Sequence, residues 1–139
     1  MAKAVIRGIN LNYEIKGDRG RSVILLHGWG QNMAMMDYIA TFLSRHFVVY
    51  NMDLPGFGES GEPDRAWSVD DYVEFLHDFV NHFNIESPIL IGHSFGCRIA
   101  LYYAYKYDVF KMCLTGAAKK KKKRGIRYYV SVYSYKLGK

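Results

Sequence analysis

Residues 88–96 read PILIGHSFG, and the fold turns on how this stretch is interpreted. Ile89, Leu90 and Ile91 make a short apolar run, the pattern of a strand covered on both faces of a parallel sheet. Gly92-His93-Ser94-Phe95-Gly96 is a G-x-S-x-G motif at the point where that strand must turn into a helix running from Phe95 to Tyr107. A turn this sharp forces the serine into a strained backbone conformation. Gly92 and Gly96 remove the Cβ atoms that would collide with neighbouring elements. Ser94 is therefore expected out over the C-terminal edge of the sheet. The Phe95 N–H, at the start of the helix, is expected to be free to stabilise an oxyanion.

Working outward, the chain alternates between strand and helix. Residues 4–8 and 10–16 show apolar alternation around a turn from Gly8 to Asn10, the signature of an antiparallel hairpin. SVILLHG, residues 22–28, reads as a central parallel strand. Met33, Met36, Ile39, Ala40 and Leu43 form the stripe of a helix from Asn32, its cap, to Arg45. HFVVYNMD, residues 46–53, is the next strand, and the Gly and Pro of LPGFGESGEP then force a long loop. Ser68 caps a helix whose first turn carries Asp70 and Asp71. Its buried stripe is Val69, Tyr72, Val73, Leu76, Phe79, Val80 and Phe83. After the Phe95 helix comes a strand from Val109 to Thr115. The order predicts an α/β fold, a doubly wound, mostly parallel sheet with an N-terminal antiparallel hairpin.

Charge divides the chain in two. Residues 119–139 hold nine of the 19 Lys and Arg and none of the 13 acids, which leaves residues 1–118 with a net charge of −3. The basic balance thus belongs to a tail. Lys119 to Arg124, with Tyr128 and Tyr129 after it, invites an anionic surface or stacked bases. A solvated linker accounts for the run more simply, so neither a nucleic acid nor a membrane partner is favoured. The N-terminus has no apolar leader and no run of about 18 apolar residues occurs, which points to a soluble, cytoplasmic protein. Cys97 and Cys113 fall in segments that read as buried helix and buried strand, where thiols act as small core hydrophobes rather than disulfide partners.

Two further segments, HGWGQN at 27–32 and DLPGFGES at 53–60, appear with GHSFG in an order that resembles the α/β-hydrolase fold family over about residues 5–118. The resemblance implies that Ser94 is the nucleophile of an acyl-enzyme mechanism on an ester or related small-molecule acyl substrate, with no cofactor and no metal. It also implies that the backbone N–H groups of Trp29 and Phe95 form the oxyanion hole. His27, Gly28, Gly92, Gly96 and Asp53 are then structural residues close to the site. A serine at the elbow is similar to esterases, lipases and acyl-chain or C–C hydrolases, and unlike the dehalogenases and epoxide hydrolases that use an aspartate there. The domain reading is an incomplete hydrolase core over 1–118, followed over 119–139 by a basic linker and the start of a truncated helical cap.

In this fold the acid and the histidine of the triad follow the serine. Here all five histidines, His27, His46, His77, His82 and His93, lie at or before residue 93, and the only acid after Ser94 is Asp108. The expectation is an inactive N-terminal part of a longer serine hydrolase. The alternative is a non-catalytic, hydrolase-like binding protein with an anion-binding tail. Several residues admit two roles. Ser94 as a helix cap competes with Ser94 as nucleophile, and the three ordered motifs favour the nucleophile. His27 as a surrogate base competes with loop packing, which is preferred. His93 is expected in the core, and Asp53 and Ser60 in backbone hydrogen bonds. Of Met33, Met35 and Met36, only Met35 is left as a pocket candidate over Trp29. A sheet that ends on the strand Val109–Thr115 leaves an edge open, so self-association is expected.

Overall fold

The computed structural model describes residues 2–116. The Lys119–Arg124 run and the aromatic segment 126–137 lie outside the described residues. Strands β1 (Ala2–Ile6) and β2 (Ile9–Lys16) form the hairpin, pairing from Ala2 with Tyr13 to Ile6 with Ile9. The turn is Arg7 and Gly8, with φ of 52° and 78°, rather than Gly8 to Asn10, because Ile9 and Asn10 already pair in β2. Two left-handed residues in succession give the turn a twist that matches that of its strands.

Four further strands, β3 (Ser22–Leu26), β4 (Val48–Met52), β5 (Ile89–His93) and β6 (Lys111–Thr115), extend the sheet in the order β1-β2-β4-β3-β5-β6. β2 joins β4 antiparallel, and the β4-β3-β5-β6 pairings are all parallel. This is the doubly wound, mostly parallel sheet with an antiparallel hairpin that the alternation of elements predicts. Alternate residues of β3 enter different cores. Ile24 and Leu26 join the larger core, with Phe75, Leu76, Phe79, Ile99 and Tyr103 from helices α2 (Val69–His82) and α3 (Phe95–Lys106). Val23 and Leu25 join a smaller one, with Met36 and Ala40 from the segment leading into and through helix α1 (Asp37–Leu43). No described helix is long and apolar enough to cross a membrane.

α2 starts on a full capping box. The Ser68 hydroxyl accepts from the Asp71 N–H, and the Asp71 carboxylate accepts from the Ser68 N–H at 2.8 Å. Val69 and Phe83 are only partly buried, and Phe75, outside the predicted stripe, is fully buried. The predicted helix from Asn32 to Arg45 is instead a 3-10 turn, Met33–Met36, followed by α1, and Asn32 caps that turn by accepting from the Ala34 N–H at 3.0 Å. The tighter turn shifts the angular phase of α1, so Met33, Met36 and Ala40 are buried while Ile39 is exposed.

On the face of β5 and β6 opposite α3, Ile89 and Ile91 are half-buried against the smaller core, while β6 turns Lys111, Cys113 and Thr115 outward among the described residues. Cys113, read as buried, is therefore exposed, whereas Cys97 on α3 is buried and both thiols are free. His93 is corrected for the same reason. It points to that face beside Ile89 and Ile91, half-buried rather than in the core, with Nδ1 3.1 Å from Thr115 Oγ1.

Candidate active site

Ser94 is the single residue between the end of β5 and the start of α3. Its φ of 55° and ψ of −112° lie well outside the conformations an L-residue ordinarily adopts. Three contacts hold it there. The Ser94 N–H donates to the Thr115 carbonyl, and the Cys97 N–H donates to the Ser94 carbonyl, both at 2.9 Å. The third is steric: a Cβ on Gly92 would lie 2.6 Å from the Gly96 carbonyl oxygen, and one on Gly96 would strike the Leu26 carbonyl oxygen. Strand β3 and helix α3 therefore meet backbone to backbone beneath the serine. The Ser94 side chain makes no capping hydrogen bond to α3.

The loop after β3 lies directly against this turn. A Cβ on Gly28 would sit 3.1 Å from the Ser94 Cβ and 2.5 Å from Gln31 Oε1. Gln31 pins the loop twice, accepting from the Gly28 N–H at 3.0 Å and donating its own N–H to the Gly28 carbonyl at 3.1 Å. Trp29 is 64% exposed, its ring edge-on to Phe57 at 4.8 Å and to Phe95 at 5.0 Å. Among the described residues, the N–H groups of Trp29 and Phe95 have no hydrogen-bond acceptor. Phe95 N–H is unpaired because the first turn of a helix offers it none.

Above Ser94 opens a cleft of about 530 Å³, lined by Trp29, Trp67, Ser68, Val69, Ser94, Phe95 and Arg98. Its aromatic wall is tied together, Phe95 against Tyr72 at 5.4 Å and Tyr72 against Trp67 at 5.1 Å. The Tyr72 hydroxyl donates to the Pro55 carbonyl at 2.8 Å, which fixes this wall to the loop after β4. Met35 is exposed and lines no part of this cleft, while Met33 and Met36 are buried in the core.

His27 is fully buried and both ring nitrogens are engaged. The Leu54 N–H donates to Nε2 at 3.0 Å, so Nδ1 carries the proton and donates to the Gly28 carbonyl at 2.7 Å. Burial pushes its pKa down, which keeps the ring neutral. No lone pair is left to take a proton from Ser94. Asp53 is consumed in the same way: Oδ1 accepts from Met33 N–H at 2.8 Å, and Oδ2 from Asn12 Nδ2 and Glu59 N–H, each at 2.9 Å. The Ser60 hydroxyl donates to the Asp53 carbonyl at 2.6 Å and accepts from the Asn12 N–H at 2.8 Å. These bonds fasten the 53–60 loop to β2 and to the 3-10 turn. No histidine lines the cleft. Asp108 lies beyond the far end of α3, whose twelve residues span about 18 Å.

Asn12, Gln31, Trp67 and Arg98 are not singled out by sequence reasoning. Arg98 carries a usable signal, since it lies one helical turn beyond Ser94. Buried Asn12 in an alternating strand carries none.

This sheet order, with a strained serine between strand and helix, defines a hydrolase-like class of doubly wound proteins. Residues 21–115 match the family described as the alpha/beta hydrolase fold, and the chain belongs to that family. It is 30% identical over 103 residues to a soluble epoxide hydrolase of Corynebacterium sp., covering 74% of this chain and 36% of that protein. It is 33% identical over 98 residues to a pimeloyl-[acyl-carrier protein] methyl ester esterase of Vibrio cholerae, covering 70% and 36%. Among solved structures, a meta-cleavage product hydrolase superposes with a TM-score of 0.80 at 29% identity, over 88% of this chain and 47% of its own. A marine microorganism esterase gives 0.73 at 30%, over 88% and 48%. The chain thus spans less than half the length of these relatives.

Proposed function

We propose that this chain is the front half of a serine hydrolase acting on an ester, thioester or related acyl bond, with Ser94 as nucleophile. One observation carries the proposal: Ser94 is held at a strained backbone position, with no capping bond, in an aromatic cleft beside two unpaired N–H groups. The serine side chain at position 94 favours acyl chemistry over the epoxide chemistry of one relative. In the proposed reaction Ser94 Oγ attacks the carbonyl carbon as its proton passes to a base. The N–H groups of Trp29 and Phe95 hold the oxyanion. Collapse expels the alcohol or thiol, which takes the proton, and water then hydrolyses the acyl-enzyme.

The base must come from outside the residues that follow Ser94 here, since none of them is a histidine. Without it the serine is a weak nucleophile, and an oxyanion hole with binding alone retains about 10³ to 10⁴ over water. The test is labelling by an activated fluorophosphonate, read by peptide mass spectrometry. The expected result is an adduct on Ser94 formed faster than on any other serine. Labelling spread evenly over the serines, and unchanged in Ser94→Ala, overturns the proposal.

That no histidine lines the cleft among the described residues also favours a second reading, a binding protein that holds a hydrolase-type ligand or an anionic surface without turnover. Its test is salt: binding to anionic vesicles that falls steeply with ionic strength and is lost on removing residues 119–139 supports it, and salt-independent binding contradicts it.

A further inference from the structure

Arg98 differs from every other described cation. Arg7 pairs with Asp78, Lys16 with Asp37, Arg19 with Asp18, Arg65 with Asp71 and Lys106 with Glu74. Lys3 donates to the Glu59 carbonyl, and Arg21, Arg45 and Lys111 lie over phenylalanine rings. Among the described residues, Arg98 alone of the Lys and Arg side chains has no carboxylate, carbonyl or ring partner. Among the described residues it is also the only charged side chain lining the Ser94 cleft. The acid nearest in sequence on the facing helix start, Asp71, is already spoken for by Arg65 and by the Ser68 N–H.

We propose that Arg98 is an anion anchor within the substrate site, so that the cleft selects acyl substrates carrying a carboxylate or other small anion a few bonds from the scissile carbonyl. The inference rests on the hydrolase reading for the word substrate, but the anion site itself does not need turnover. Ser94, at the N-terminal end of α3, and Arg98, in its first turn, line the same cleft. A guanidinium there offers a planar pair of donors to a carboxylate, and Trp29, Trp67 and Phe95 give the same cleft an apolar lining for the stem between. Arg98 is then a specificity-determining residue and takes no part in bond making.

The chain carries its own reporter, because its two tryptophans, Trp29 and Trp67, both line the cleft. Two probes that differ at one group, monomethyl adipate and the corresponding amide, are titrated against intrinsic tryptophan fluorescence at neutral pH. The expected result is roughly three- to tenfold tighter binding of the acid, narrowing as salt is raised. Arg98→Gln brings the ratio to about one and Arg98→Lys keeps part of it. Ser94→Ala leaves it unchanged, so loss of the nucleophile assignment and loss of the anion site are separable. A ratio of one in the unsubstituted chain, a preference that survives Arg98→Gln, or no fluorescence change with either probe overturns the proposal.

Discussion

Gly96→Ala is the sharpest single-residue test of the elbow. The added Cβ meets the Leu26 carbonyl, which is backbone and has nowhere to go, so β3 and α3 must part. A loss of about 1–3 kcal/mol is expected, measured as a fall in the urea midpoint. A neutral substitution would mean that strand and helix are farther apart than described. His27 gives a pH test. Its buried ring has a pKa below the usual value, so as pH falls below about 6.5 the unfolded chain binds a proton that the folded chain refuses. The stability tied to this site is full above that pH and is lost toward the lower folded value. The urea midpoint should drop between about pH 7 and pH 5, and drop less steeply in His27→Gln. Equal slopes would contradict the buried neutral imidazole. At this scale the residues of the three motifs are readable because their meaning is local: Gly92, Ser94 and Gly96 are dictated by one turn. Asn12 and Trp67 acquire theirs only from partners brought by the fold.

Helix α2 is legible because its stripe runs for three or more turns and its cap, Ser68, is explicit. Ser68→Ala removes the hydroxyl that accepts the Asp71 N–H, and a loss of about 1 kcal/mol is expected in urea unfolding. No loss would mean that the Arg65–Asp71 pair and the Asp71 bond to Ser68 N–H suffice. That pairing also holds the Asp71 carboxyl down to about 2. Its contribution is present above the unfolded carboxylate pKa and is lost as pH falls through that lower value. The segment 32–45 reads as one helix because periodicity over so short a span cannot separate a 3-10 turn joined to two turns of α-helix from a continuous α-helix. Ile39 faces outward as a result. Cys113 and His93 are misplaced for a different reason. Strand alternation tells which face each takes, but whether that face is covered depends on elements elsewhere in the molecule.

Among the described residues the sheet has β1 at one edge and β6 at the other, and no strand pairs with the outer side of β6. On α1, Tyr38 and Phe42 face solvent, 86% and 58% exposed. We propose that this edge and these surfaces make the 139-residue chain self-associate, as an unpaired strand edge and exposed apolar area do in general. Sedimentation velocity over a concentration series should show a rising average mass, and a single monomeric species throughout would contradict it. The family assignment is legible from three ordered motifs, whereas the substrate is not. The most direct test of the central claim, that Ser94 is a poised nucleophile lacking only its base, is hydrolysis of a short activated ester by the chain and by Ser94→Ala, each with increasing free imidazole as a substitute base. The predicted result is a small excess over Ser94→Ala without imidazole and an excess that grows as imidazole is added, beyond the reaction of imidazole alone. Equal rates at every imidazole concentration would contradict the assignment of Ser94.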